Sequence, residues 1–376
     1  LTARSQIATT ARTRQDKQQG TRAVSLKSNP GNFFEDFRIG QVLRHATPRT
    51  LTTGDVALYT ALTGSRYALF SSDAFAQSLG RPAAPIDPLL VFHTVFGKTV
   101  PDISLNAVAN LGYADGRFLA PVYAGDTLSA VSEVIGLKEN SNGKTGVVHV
   151  RTTGLNQRGE AVLSYVRWVM VNKRDPAAPA PEALTPSLPE AVAPGDLPLP
   201  PGTDRTDYDW VLAGAPFAYE DYAPGEKIDH VDGMTVEEAE HQIATRLYQN
   251  TAKVHFDATL QKGSRFGRRL IYGGVAISVA RALAFNGLAN AALILAINGG
   301  RHVNPLFSGD TVYAWSEVLG KIGLGAGVGA LRLRLVATKN RPCGDFPLKD
   351  AAGEYLPEVI LDFDYWAAIP KRMFEA

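Results

Sequence analysis

Two stretches of this 376-residue chain repeat one another at a fixed spacing, and that repeat restricts the fold to two copies of one unit in tandem. Phe34-Glu-Asp-Phe-Arg-Ile-Gly40 is matched 185 positions later by Tyr219-Glu-Asp-Tyr-Ala-Pro-Gly225. Arg117-Phe-Leu-Ala-Pro-Val-Tyr-Ala-Gly-Asp-Thr127 is matched 184 positions later by Arg301-His-Val-Asn-Pro-Leu-Phe-Ser-Gly-Asp-Thr311. Ser-Glu-Val follows each Gly-Asp-Thr, at Ser132–Val134 and Ser316–Val318. Two anchors that drift by a single position between copies indicate duplication rather than coincident turns.

Nine of the 23 prolines fall between Pro176 and Pro201, so the stretch joining the copies reads as an extended, semi-rigid connector. Each copy then reads alike. A polar-apolar helical stretch comes first (Thr52 to Ala61, Val236 to Tyr248), then a longer helix (around Leu89 to Val95, Val275 to Asn286). Alternating strands follow, of which Val147 to Thr152 and Ala330 to Val336 are examples, and the last strand of each copy carries Trp168 or Trp366. One long helix wrapped by an antiparallel sheet is an α+β arrangement, the hotdog, here doubled. The division expected is 1–27 as a disordered extension, 28–173 as the first hotdog, 174–218 as linker and 219–372 as the second hotdog. Residues 1–25 are Arg- and Thr-rich with Asp16 as their only acid, which leaves a transit peptide as the alternative to a disordered extension.

Composition excludes several functions. A net charge of +1 offers no basic surface for nucleic acid as main partner. No apolar run approaches the roughly 18 residues of a membrane span. One cysteine, Cys343, cannot form an intramolecular disulfide, and no Cys/His cluster has metal-ligand spacing. A reducing, cytoplasmic setting is expected.

The Arg-Phe-x-x-Pro-Val-x-x-Gly-Asp-Thr run resembles a signature of the MaoC-type hydratases and dehydratases, hotdog proteins that act on acyl thioesters. Their hydration motif lies on the turn before the central helix. The 185 offset places it at Gln249 to Asp257 in the second copy and Gly64 to Ser72 in the first. Only the second holds a proton-transfer group, His255, where the first has Phe70. Eighteen residues after His255 stands Gly273, followed by Gly274 as a further substrate-binding candidate; eighteen after Phe70 stands Pro88, which has no N–H to donate. The resemblance implies that the Gly273 N–H, at a helix start, holds the thioester carbonyl. It assigns the working site to the second copy and makes the first a wall of the acyl-CoA tunnel. Asn250 stands where the family carries an acid; an amide can orient water through its carbonyl oxygen but cannot abstract a proton. Asp257 is a structural acid or an assisting base. Arg265, Arg268 and Arg269 precede the helix and either contact the CoA phosphates or are solvated surface. His93 reads as core; His241 and His302 read as surface or packing residues.

A longer run, Leu90-Val-Phe-His-Thr-Val-Phe-Gly-Lys-Thr-Val-Pro-Asp-Ile-Ser-Leu-Asn-Ala-Val-Ala-Asn110, together with Gly31 to Phe37, His45 to Thr50 and Gly64 to Ala76, is similar to the mesaconyl-CoA hydratases, also called β-methylmalyl-CoA dehydratases. The similarity covers about residues 28–370. It implies reversible interconversion of mesaconyl-CoA (2-methylfumaryl-CoA) and β-methylmalyl-CoA, as in the ethylmalonyl-CoA route, with CoA as part of the substrate and no separate cofactor. Residue types alone leave open a hydratase for ordinary enoyl-CoA chains, a hotdog thioesterase and a non-catalytic acyl-CoA-binding module. The oligomeric state also stays open, with a homodimer as the candidate.

Overall fold

Alternation of apolar and polar side chains governs the long strands. Along Thr127–Glu139 every second residue from Leu128 to Val134 is buried, as a sheet with one face on a core requires. The computed structural model describes residues 27–204 and 208–372. The chain divides at Pro30. Residues 27–30 are exposed, and every strand and helix among the described residues belongs to the unit that begins at Gly31. The expected extension over 1–27 lies outside the described residues but for its last position.

Ten antiparallel strands form one sheet: β1 (Val42–Thr50), β2 (Ala107–Phe118), β3 (Thr127–Glu139), β4 (Thr145–Leu155), β5 (Ala161–Asn172), β6 (Lys227–Thr235), β7 (Leu293–His302), β8 (Thr311–Gly323), β9 (Val328–Lys339) and β10 (Val359–Pro370). Their order is β1-β3-β4-β5-β2-β7-β10-β9-β8-β6, so the second half mirrors the first and the copies meet at β2 and β7. The pairing there is reciprocal. Tyr113 faces Gly300 and Gly116 faces Ile297, while 184 positions on from Tyr113 is Ile297 and from Gly116 is Gly300. Each strand sets a glycine opposite its partner's large side chain, as a twofold interface does. A Cβ on Gly300 would lie 3.0 Å from the Tyr113 ring, and one on Gly116 2.9 Å from Ile297.

Each half wraps its strands around one central helix, Pro88–Thr99 in the first copy and Gly273–Leu283 in the second. Every residue of the first is buried, and of the second all but Gly273. Their starts differ. The Asp87 carboxylate accepts the Leu89 N–H and Pro88 fills the first turn, which stoppers the first helix. Tyr272 precedes the second helix and offers no side-chain cap.

The Pro-rich connector packs against both copies. Val192, Leu197, Leu199 and Tyr208 join an apolar cluster that holds Tyr67, Phe70 and Phe75. The Val192 N–H donates to Asn298 Oδ1 (2.9 Å), and its carbonyl accepts from Trp366 Nε1 (3.1 Å). A fully buried valine or leucine contributes roughly 1.5–3 kcal/mol, so this segment is a structural element in its own right. Among the described residues no helix is long and apolar enough to cross a membrane.

Candidate active site

A cleft of about 320 Å³ opens at the seam between the copies. Its lining joins Asn250, His255, Tyr272, Gly273 and His302 of the second copy to Phe96, Asn110, Tyr113 and Arg167 of the first. The first copy is therefore part of the cleft surface itself.

His255 sits on the one-turn helix Lys253–Phe256. Its Nδ1 lies 3.0 Å from the Leu270 carbonyl, which can only accept, so Nδ1 carries the proton and Nε2 keeps a lone pair. Gln242 Nε2 donates to the His255 carbonyl (2.9 Å), which ties this turn to the helix Glu238–Leu247. Burial lowers the pKa of the imidazole to about 4, and the Leu270 bond opposes that shift. At neutral pH the ring is uncharged, as a base must be.

Two further histidines complete the surroundings: His241 is a packing residue, one of the two roles expected for it, whereas His302 lines the cleft and corrects the expectation of a surface or packing position. His241 is buried; its Nε2 accepts the Tyr272 N–H (2.9 Å), so it holds the residue just before the second central helix. Its ring lies 6.1 Å from that of His255, edge-on. His302 lines the cleft, and its Nε2 is hydrogen-bonded to Tyr113 Oη (3.2 Å) across the seam. Burial first, then the charge of His255, lowers its pKa to about 4. The sequence held a signal for His302: the repeat sets it opposite Phe118, the same aromatic-to-histidine change that separates Phe70 from His255.

Gly273 forms the floor against His302. A Cβ there would lie 2.3–2.6 Å from three atoms of the His302 ring, so only glycine fits with the ring in place. The Val275 N–H turns back to the Tyr272 carbonyl (2.8 Å), while those of Gly273 and Gly274 have no intrahelical acceptor and no side-chain cap. Gly274 is buried beneath Tyr272 and His93. Asn250 is buried; its N–H donates to the Thr245 carbonyl (2.9 Å) and its Oδ1 accepts the Ala252 N–H (3.0 Å). That oxygen is thus partly occupied in shaping the turn. The first copy braces the preceding loop: Arg49 donates to the Leu247 carbonyl and Lys98 Nζ to Gln249 Oε1 (3.3 Å).

The remaining residues singled out from sequence lie outside this group. Asp257 caps the short helix Ala258–Gln261 by accepting the Leu260 N–H (2.9 Å) and is not part of the lining. Arg269 is engaged by Glu238 and by the Phe256 carbonyl. Arg268 stacks on Phe307 (3.8 Å) and Arg265 lies over Phe266 (5.4 Å), the latter ring lining the cleft. In the first copy Phe70 is buried in the cluster that includes the connector. Pro88 adjoins a much smaller space that Pro200 of the connector also lines.

A family model described as mesaconyl-CoA hydratase matches residues 21–339. The β-methylmalyl-CoA dehydratase of Chloroflexus aurantiacus is 63% identical over 351 residues, 93% of this chain and 100% of that protein. The mesaconyl-CoA hydratase of Cereibacter sphaeroides is 64% identical over 347 residues, 92% of this chain and 100% of that protein. Among solved structures, a MaoC-domain dehydratase from Chloroflexus aurantiacus superposes with a TM-score of 0.91 at 63% identity, covering 93% of this chain and 100% of that one. A double-hotdog protein of Mycobacterium tuberculosis superposes with a TM-score of 0.73 at 27% identity, covering 90% of this chain and 98% of that one.

Proposed function

The chain belongs to the mesaconyl-CoA hydratase family, and on that premise we propose that it is a hydro-lyase that interconverts mesaconyl-CoA plus water with β-methylmalyl-CoA. The observation that carries this reading is similarity of 63–64% over the full length of two relatives that bear these names. The cleft supplies chemistry to match: a neutral imidazole beside an uncapped helix start.

In the mechanism we propose, the thioester carbonyl oxygen accepts from the Gly273 N–H. His255 Nε2 removes a proton from water, the water oxygen bonds to the β-carbon, and the double-bond electrons move onto the thioester as an enolate. The helix start stabilises that oxyanion; one such donor is worth roughly 3–4 kcal/mol in acyl chemistry. The imidazolium then returns its proton to the α-carbon, so atoms balance as addition of one water. Asn250 orients the water with its amide while Oδ1 holds the Ala252 N–H. An imidazole with a pKa near 4 is a weak base, and an anionic substrate beside it raises that value. The reaction asks for no cofactor beyond the CoA of the substrate. Arg265 and Arg268, beside Phe266 and Phe307, are the side chains we assign to the CoA phosphates, and a cytoplasmic location accords with the buried free thiol of Cys343.

The test is turnover of mesaconyl-CoA and β-methylmalyl-CoA, followed by absorbance of the conjugated thioester, beside crotonyl-CoA under the same conditions. A kcat/KM at least tenfold higher for mesaconyl-CoA is expected. Preference for crotonyl-CoA, or release of free CoA thiol instead of hydration, would overturn the reading.

A further inference from the structure

Arg167, on β5 of the first copy, is fully buried and lines the cleft. The groups that hold it are uncharged. Nη2 donates to Thr99 Oγ1 (2.7 Å), Nη1 and Nη2 reach Ser104 Oγ at 3.4 Å each, and Cζ lies 4.2 Å from the centre of the Phe96 ring. Nε has no partner, and no carboxylate pairs with this guanidinium among the ion pairs of the described residues. A cation withdrawn from water without a counter-anion is held at a standing electrostatic cost, which a bound anion removes. Two more cleft groups are left with buried, unpartnered polar atoms: both side-chain atoms of Asn110 and the hydroxyl of Tyr272. Guanidinium, carboxamide N–H and phenol O–H are all donors of the kind a carboxylate accepts.

The duplication puts a buried guanidinium in each copy, Arg281 with Nε and Nη1 also unpartnered, but only Arg167 lines the cleft. In the first copy the helix carries the ring, Phe96, and the strand carries the cation. At the matching positions, 185 residues from Phe96 and one before Trp366, the second copy has Arg281 and Tyr365, the same pair with cation and ring exchanged. Arg281 donates to the Ala291 and Ala292 carbonyls and does not line the cleft. Asn110 matches Ile294, which faces the small space that Pro200 helps to close. The pair of donors thus occurs only where the cleft is open. Thr99 and Ser104, which hold Arg167, bracket the π-helical turn Val100–Ser104, a geometry common at functional sites.

We infer that Arg167, assisted by Asn110, binds the free carboxylate of a dicarboxylic half-thioester and so selects an anionic acyl group over a neutral one. The choice of acyl group rests on the function proposed above, while the carboxylate site itself does not depend on turnover. The first copy, without a proton-transfer group of its own, then supplies substrate specificity to the second.

Binding of two unreactive thioesters separates the possibilities. Succinyl-CoA and butyryl-CoA share an unbranched four-carbon acyl chain, which ends in a carboxylate in the first and a methyl group in the second. By titration calorimetry the wild-type chain is expected to bind succinyl-CoA at least tenfold more tightly. Arg167→Met should remove that preference with butyryl-CoA affinity changed less than threefold, and Arg167→Lys should keep part of it. Asn110→Leu, a milder change, should reduce the preference several-fold and serves if Arg167→Met does not fold. No preference in the wild type, or equal loss for both thioesters in the variants, overturns the inference. A wild type that prefers succinyl-CoA yet fails to hydrate mesaconyl-CoA would keep the carboxylate site and discard the proposed reaction.

Discussion

Adding one methyl group at Gly273 tests whether the helix start and His302 act as one device. An alanine Cβ there would lie 2.3–2.6 Å from His302 ring atoms. Ordinary contact needs about 3.4 Å or more, so the ring must retreat by about 1 Å. The Tyr113–His302 hydrogen bond, already 3.2 Å, does not survive that shift. Alanine keeps the backbone N–H, so the change leaves the oxyanion donor present and moves only its surroundings. A displacement of this size near reacting atoms costs on the order of 10² in rate. Overpacking costs about 1–3 kcal/mol of stability, and alanine's better helix propensity offsets 0.5–1 kcal/mol of it. We expect Gly273→Ala to lower kcat/KM for mesaconyl-CoA about 100-fold with a small drop in melting temperature. In a His302→Ala background, where the ring is gone, the same change should cost less than fivefold. Near-wild-type activity of Gly273→Ala, or equal losses in both backgrounds, would refute the steric argument.

His255→Ala should reduce kcat by about 10²–10⁴, the usual worth of a positioned acid–base group, while Phe70→His adds no second site because that position lies under the connector; both are read by initial rates. The pH profile of kcat/KM for hydration, which reports the free enzyme, should be level down to about pH 5 and fall as pH drops through about 4, since protonation of His255 removes the base. The acid limb of kcat lies higher because bound substrate raises that pKa; a kcat/KM limb near 6.5 would contradict the burial of His255. His93, His241, His255 and His302 are held neutral at pKa values of about 3 to 4, below an unfolded value near 6.5. The unfolded chain therefore binds more protons between those limits, stability is lost as pH falls from 6.5 towards 4, and melting temperatures at pH 7 and 5 should show it. Asn250→Asp sets a second negative charge in the cleft, worth on the order of 4 kcal/mol against a substrate carboxylate 4 Å away at an effective dielectric of 20; kcat/KM should fall more for mesaconyl-CoA than for crotonyl-CoA, and equal effects would leave Asn250 a loop-shaping role alone.

The fold was legible because a repeat and two-residue alternation are local properties of the chain. His255, Gly273 and Asn250 could be located for the same reason, through a motif in one continuous segment. The cross-copy contributions could not. Arg167, Asn110 and Tyr113 lie in the first copy, and nothing nearby in sequence says that β2 pairs with β7 and carries them to the second copy's helix. The prolines of the connector predict an extended spacer, yet Val192, Leu197, Leu199 and Tyr208 sit in an apolar cluster, since proline restricts backbone but does not keep its neighbours from packing. Of the two roles left open for Asp257, structural acid or assisting base, its use as a helix cap fits the first.

The reciprocal pairing of β2 and β7 also bears on how such a chain can evolve. In an assembly of two identical subunits, any mutation at a twofold seam appears on both sides at once. A tyrosine at the position of Tyr113 would also replace Ile297, and a histidine at that of His302 would also replace Phe118. Here both copies lie on one chain, and each of these sites mutates alone. The Tyr113–His302 bond joins two residues whose counterparts, Ile297 and Phe118, cannot hydrogen-bond through their side chains. One inherited unit could thus keep the acid–base machinery while its twin exchanged those groups for others, with the paired glycines still holding the two together.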